Sequence, residues 1–236
     1  MSLRATISTP QGKQRYVRTL FATIADRYDL ITRLLSYGQD QRWKRHLVAL
    51  AQLRAGDRVL DLASGTGDIA FSALAHTSRV VGLDVTHRMM QLAVARDARV
   101  RFVTADMLAL PFDAGRFEVV TTGYGLRNVP DLDLAIREIH RVLTPGGRLL
   151  SLDFNRPGNV VVRAAYWTYL SVVGSALGLV LHGDPDTYRY IAESIRNYPG
   201  ARAVARMLEQ RGFTDVRVIP VLFGLMAIHV ARRGSG

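Results

Sequence analysis

The segment Val59-Leu60-Asp61-Leu62-Ala63-Ser64-Gly65-Thr66-Gly67-Asp68 constrains the fold more than any other stretch of the chain. A short apolar run gives way to two glycines and then to a helical pattern, which predicts a strand, a tight loop and a helix. Without a Cβ, Gly65 and Gly67 let the backbone turn sharply and approach a ligand closely. From Asp57 onward the same alternation repeats. Strands are expected at Arg58–Ala63, Val80–Asp84, Arg101–Thr104, Phe117–Thr122 and Arg148–Phe154, with helices at Ile69–His76, His87–Arg96 and Leu132–Leu143 between them. Stacked units of this kind build a parallel sheet.

The last third changes pattern. A helix at Arg202–Arg211 precedes two runs, Val216–Leu222 and Met226–Arg232, separated only by Phe223-Gly224-Leu225, which predicts an antiparallel hairpin. The expectation is therefore an α/β, doubly wound, Rossmann-like domain with a mostly parallel seven-stranded sheet and a reversed last strand. By analogy this is the arrangement of class I methyltransferases that use S-adenosylmethionine (SAM). One domain spans residues 16–233, with a helical cap at 16–53 and an apolar helical insertion at 155–200. Residues 1–15 are polar and unpatterned and read as a disordered tail, and Gly234-Ser235-Gly236 reads as a tag remnant. Thr144-Pro145-Gly146-Gly147 reads as a helix stop followed by a tight turn.

Composition narrows the function classes. Cysteine is absent, which excludes disulfides, thiolate nucleophiles and sulfur-based zinc sites and suits the cytoplasm. The net charge is +11, a field that favours anionic partners such as nucleic acid, acidic lipid headgroups or a phosphorylated substrate, although an arginine-rich composition with no specific partner is the plainer reading. The arginines are scattered, with no run of five cations, so a nucleic-acid tail is not expected. A basic RNA-binding methyltransferase or nucleic-acid module is the alternative from another class.

On the glycines alone the loop also fits a dinucleotide fingerprint, through Gly65-x-Gly67-x-x-Ala70. Three acids at successive strand ends favour SAM over a nicotinamide. Asp61, four residues before Gly65, repels a pyrophosphate but suits the ammonium of a methionine moiety. Asp84, with Val85 after it, can accept both ribose hydroxyls. Asp106 can bond an adenine amino group while Met107 packs on the ring. Helix N-capping is the plainer reading of each acid.

Further motifs carry a family resemblance. They are Tyr28-Asp29-Leu30, Ser36-Tyr37-Gly38 with Trp43-Lys44-Arg45, the loop above, Leu110-Pro111-Phe112, Gly123-Tyr124-Gly125-Leu126-Arg127-Asn128-Val129, Arg141 through Arg148, and Asp186 through Ile195. From about Phe21 to Arg232 the chain resembles the ubiquinone/menaquinone biosynthesis C-methyltransferases of the demethylmenaquinone type. The resemblance implies methylation of a ring carbon of a polyprenylated quinol, most readily demethylmenaquinol to menaquinol, with S-adenosylhomocysteine as coproduct. It implies SAM contacts at Thr66, Asp84, Asp106 and Gly123. Ser64 stands where glycine or cysteine is often seen, Gly123 where many members carry serine, and Val160–Leu181 matches only loosely. A SAM-dependent enzyme of another lipophilic phenol is the alternative within the same chemistry.

Carbon methylation needs an electron-rich ring, so the substrate is expected in the reduced form, losing a hydroxyl proton to a base or relay. Arg127 could stabilise the phenolate and Asn128 bond a ring oxygen, both at the crevice. The bland alternative for Arg127 is an ion pair with an acid such as Asp131. Tyr28 is a candidate proton relay. Tyr124, Tyr166, His182 and Tyr188 are candidate substrate contacts, whereas His140 reads as a structural histidine. Histidines and acids show no metal-ligand spacing, so no metal is expected. Ala164–Leu181 is eighteen residues without a charge. It is read first as the wall of a tunnel for a polyprenyl tail, then as plain core, and last as a membrane span. Peripheral contact with an anionic membrane is expected, and homo-oligomerisation is left open.

Overall fold

The computed structural model describes residues 3–36, 38–156, 160–183 and 186–235. Seven strands, β1 Val59–Leu62, β2 Val80–Asp84, β3 Arg101–Thr104, β4 Phe117–Gly123, β5 Leu143–Phe154, β6 Phe213–Val221 and β7 Met226–Arg233, form one sheet in the order β3-β2-β1-β4-β5-β7-β6. The strands β1 to β5 pair in parallel, and β7 is antiparallel to both β5 and β6. The reversed strand is thus last in sequence but lies inside the sheet, with β6 on the edge. The chain order reverses between β1 and β4, so the ligand crevice lies at their carboxyl ends.

All four residues of β1 are buried, because helices cover both faces of the sheet. One face packs Leu60, Leu62 and Leu149 against α7 (Leu132–Val142) and α10 (Ala201–Gln210). The other packs Val59, Val119 and Leu150 against α4 (Asp40–Ala51) and α5 (Asp68–Leu74). Between β2 and β3 runs α6 (His87–Arg96). The N-cap of α7 is Asp131, whose side chain accepts from Leu134 N at 2.9 Å, and in its last turn His140 sits edge-on to Phe213. Asp131 is therefore a helix cap, and His140 packs as a structural residue.

Two expectations need correction. Residues 144–147 do not form a free turn. They bulge out of β5, where Phe117 pairs with Leu143 and Val119 with Arg148. Nor is the N-terminal stretch featureless, since α1 (Leu3–Thr6) and α2 (Pro10–Ile24) occupy it. Thr9 caps α2 by accepting from Gly12 N at 3.1 Å, with Pro10 at the first helical position. Val17, Leu20 and Ile24 form its buried stripe with Ile31 of α3 (Tyr28–Leu35). The polar first turns of α2 are fixed by tertiary bonds instead: Lys13 Nζ donates to Arg127 O (3.0 Å) and Val129 O (2.6 Å).

The insertion folds as α8 (Val160–His182) and α9 (Asp186–Asn197). The plain-core reading of α8 fails, because Val161 is 72% exposed, Val172 63% and Val180 79%. By length and composition Val160–Val180 is the one described helix able to cross a membrane, and 12% of its most apolar window is buried.

Candidate active site

Gly65, Asp84, Val85, Asp106, Met107 and Gly123 line one cleft at the carboxyl ends of β1, β2 and β4. Its roof comes from the N-terminal cap, through Gln14, Phe21 and Tyr28. Gly67 has φ 92°, a left-handed turn that only glycine adopts easily, and a Cβ there would meet the Phe71 ring at 2.7 Å. Asp84 is buried and accepts from Gly65 N (3.0 Å) and Thr86 N (2.8 Å). One backbone donor per carboxylate oxygen leaves lone pairs for a diol. Burial pushes its carboxyl above the usual range.

Asp106 accepts from Leu108 N at 2.9 Å and from Gln14 Nε2 at 2.6 Å. Gln14, missed in the sequence, thus closes α2 over the acid that would read an adenine. The donor set and glycine approach fit an adenosyl group lying along the cleft.

Asp61 is placed differently from expectation. It is 1% exposed, does not line the cleft, and accepts from Ser64 Oγ (2.7 Å) and Thr121 Oγ1 (2.8 Å). Desolvation raises its carboxyl to about 6. It braces the loop from behind. The Thr66 hydroxyl donates to Asp29 Oδ1 at 2.6 Å, tying the loop to α3.

A second cavity of about 500 Å³ opens under the cap and α8, lined by Ile24, Ile31, Tyr166, Leu170 and Ile191 among others. It shares Phe21, Tyr28 and Tyr124 with the cleft, so the two spaces meet at these rings. Tyr124 adopts φ 62°, a conformation costly for a bulky residue, and Ala63 across the crevice adopts φ 50°. Burial pushes the Tyr28, Tyr124 and Tyr166 hydroxyls above the usual phenol value.

Arg127 also lines the second cavity. Its ion partner is Asp153, not Asp131: Nε lies 3.2 Å from Asp153 Oδ1, and both side chains are buried. The guanidinium stacks on Phe154 at 4.9 Å. Asn128 lines the cleft rather than the large cavity. Its Oδ1 accepts from Arg127 (2.7 Å) and Tyr190 Oη (3.1 Å), and its Nδ2 donates to Tyr124 O (2.8 Å). Its oxygen thus helps to position Arg127, and one amide N–H holds the β4 loop, which leaves the second amide N–H to donate to a ring oxygen. The side chains of His182 and Tyr188 lie outside the described part of the structure. Among the described residues no three His, Asp or Glu gather as a metal site.

The architecture matches solved SAM-dependent methyltransferases. A Thermotoga maritima SAM-dependent methyltransferase superposes with a TM-score of 0.68 at 17% identity, covering 92% of this chain and 99% of that one. A Haemonchus contortus phosphoethanolamine N-methyltransferase, solved with S-adenosylhomocysteine, gives 0.61 at 18%, covering 81% of this chain and 53% of that one. At such identities the likeness concerns the fold. Sequence relatives are nearer. The Thermus thermophilus demethylmenaquinone methyltransferase is 43% identical over 220 residues, covering 91% of this chain and all of that protein. The Pseudomonas putida ubiquinone/menaquinone biosynthesis C-methyltransferase UbiE is 40% identical over 228 residues, covering 92% of this chain and 88% of that one. With residues 9–233 matched by the model of the ubiE/COQ5 methyltransferases, a span that holds both cavities and the cap, the chain belongs to that family of SAM-dependent enzymes.

Proposed function

We propose that the protein methylates a ring carbon of a polyprenylated quinol, demethylmenaquinol to menaquinol. The observation that carries this reading is the junction of the two spaces. An apolar cavity of about 500 Å³, suited to a prenyl tail, meets the cofactor cleft at Tyr28 and Tyr124, beside the buried cation Arg127. The relatives named above support the substrate class.

SAM, when bound, supplies an electrophilic methyl group. Thr66, Asp84, Asp106, Met107 and Gly123 are its proposed contacts, with Asp61 holding the loop. The substrate must bring an electron-rich carbon, which a quinone lacks and a deprotonated quinol has. Arg127 stabilises the negative charge on the quinol oxygen, held in place by Asp153 and Asn128. Tyr28 stays neutral because burial disfavours its phenolate, so it relays the quinol hydroxyl proton outward, releasing its own hydroxyl proton as it takes up the new one. After methyl transfer the proton on the methylated ring carbon leaves and the ring oxygen is reprotonated, which restores the aromatic quinol. Tyr124 and Tyr166 wall the ring end, and Leu170 and Ile191 the tail.

A lipophilic substrate arrives from a membrane. The exposed valines of α8 and the fully exposed Phe223 at the β6–β7 turn offer an apolar surface, and the net charge of +11 favours anionic lipid. A cytoplasmic enzyme in peripheral contact with a membrane is the reading these features support.

Incubation with methyl-labelled SAM and detergent-dispersed demethylmenaquinol tests the proposal. Label is expected in the quinol. Label in RNA, with none in the quinol, would replace this reading by a nucleic-acid methyltransferase.

A further inference from the structure

A small third chamber adjoins the cofactor cleft on the side away from Asp106. Tyr28, Lys44, Thr66 and Asp68 line it, together with Gly65 and Gly123, which also line the cleft. Its unusual member is Lys44, from the helical cap, whose side chain is 8% exposed. The ammonium sits 2.6 Å from Asp40 Oδ2 and 2.9 Å from Asp68 Oδ2. These carboxylates keep it charged despite burial, holding its pKa above the usual lysine value. Gln41 (2.6 Å) and Arg96 (2.9 Å) fix Asp68 in turn, and the Tyr124 hydroxyl fixes Asp40 at 2.6 Å. Asp40 and Asp68 take two of the three ammonium donors, which leaves one.

A cofactor held with its base near Asp106 and its ribose at Asp84 would reach this chamber with its amino-acid end, since Gly65 lines both spaces. That end carries an α-carboxylate, which a buried site must meet with a cation. Two cations line the cleft or the chamber among the described residues: Arg18 is exposed and Lys44 is buried. We propose that Lys44 binds the α-carboxylate of SAM, with Asp40 and Asp68 as positioning residues that keep the ammonium charged and aimed. The connected cluster of Asp29, Asp40, Asp68, Lys44 and Arg96 carries one net negative charge, which suits the α-ammonium. This inference rests on the SAM reading and adds a binding residue from the cap. It also links the cap to both spaces, because Tyr28 and Tyr124, which line this chamber with Lys44, line the large cavity as well.

The test is calorimetric binding of three compounds to the full chain and to Lys44→Gln. The compounds are S-adenosylhomocysteine, its decarboxylated analogue, and methylthioadenosine, which lacks the whole amino-acid end. The wild type should bind the decarboxylated analogue about 10- to 100-fold more weakly than S-adenosylhomocysteine, the range for a charge-assisted hydrogen bond. Lys44→Gln should lose a similar factor for S-adenosylhomocysteine while its affinity for methylthioadenosine stays within about threefold. Equal binding of the carboxylated and decarboxylated compounds by the wild type would overturn the assignment, even if the variant does not fold. An equal loss for all three ligands in Lys44→Gln would overturn it too, by making Lys44 merely structural. If the wild type binds none of the three, the SAM reading itself falls and takes the assignment with it.

Discussion

The hydroxyl of Tyr124 donates a 2.6 Å hydrogen bond to Asp40 Oδ1, joining the residue that follows β4 to the first turn of α4. One bond thus ties the crevice to the cap that roofs it. The hydroxyl is committed to Asp40, so the ring, rather than the oxygen, is what Tyr124 offers a substrate. Tyr124→Phe should cost about 1.5–3 kcal/mol of stability, as expected for a buried hydrogen bond to a charged group. Its kcat should fall by less than about tenfold, because Asp40 keeps Lys44 as a partner. Urea unfolding and steady-state kinetics measure both.

The buried pair of Arg127 and Asp153 makes the opposite prediction. Asp153→Asn strands a buried guanidinium and should destabilise the protein by about 3–5 kcal/mol. Arg127→Gln should lower kcat by about 100- to 1000-fold, the scale of losing one stabiliser of a developing oxyanion. The affinity of Arg127→Gln for S-adenosylhomocysteine should stay unchanged, since Arg127 lines the large apolar cavity and not the cleft that holds Asp84 and Asp106. Calorimetry on the folded variant separates the two effects.

The tail cavity is tested by filling it. Ile191 lines it from α9, and Ile191→Trp should reduce kcat/KM for a long-chain demethylmenaquinol by at least about tenfold, one or two lost contacts' worth of apolar burial. A quinol bearing a methyl group in place of the tail should be unaffected. Equal losses for both substrates would mean that the cavity does not hold the tail.

Asp61 gives stability an unusual pH dependence. Its folded-state value is raised from 3.8 to about 6 by burial. Between these values the folded protein holds a proton that the unfolded chain has released. Its contribution is therefore fully present below about pH 4 and is lost as pH rises through about 6, a difference of roughly 3 kcal/mol. Asp61→Asn should flatten that slope in a series of thermal melts between the two values.

How much of this could be read from the residues depends on the range of the interaction. The Gly65–Gly67 loop, the acids Asp84 and Asp106, and the hairpin around Phe223 are local patterns, and the chain folds them where the sequence puts them. Arg127 was recognisable as a crevice residue, but its partner was not. Asp131 is nearer in sequence yet caps α7, while Asp153 comes from the next strand. The Lys44 cluster draws on two helices and a glycine loop, and nothing in the Trp43-Lys44-Arg45 string distinguishes the buried lysine from its neighbours. Gln14 and Lys13 sit in a stretch without apolar periodicity, whose helix is held by bonds to Asp106, Arg127 and Val129. Such tertiary bonds leave no periodic trace.

Methyl transfer to a ring carbon requires the reduced ring. The most direct measurement is turnover of demethylmenaquinone with SAM in its reduced and oxidised forms, with the product's methyl group located by NMR. Product is expected from the reduced form alone, with the new methyl on a ring carbon. A methyl ether, or equal turnover of the oxidised quinone, would contradict it.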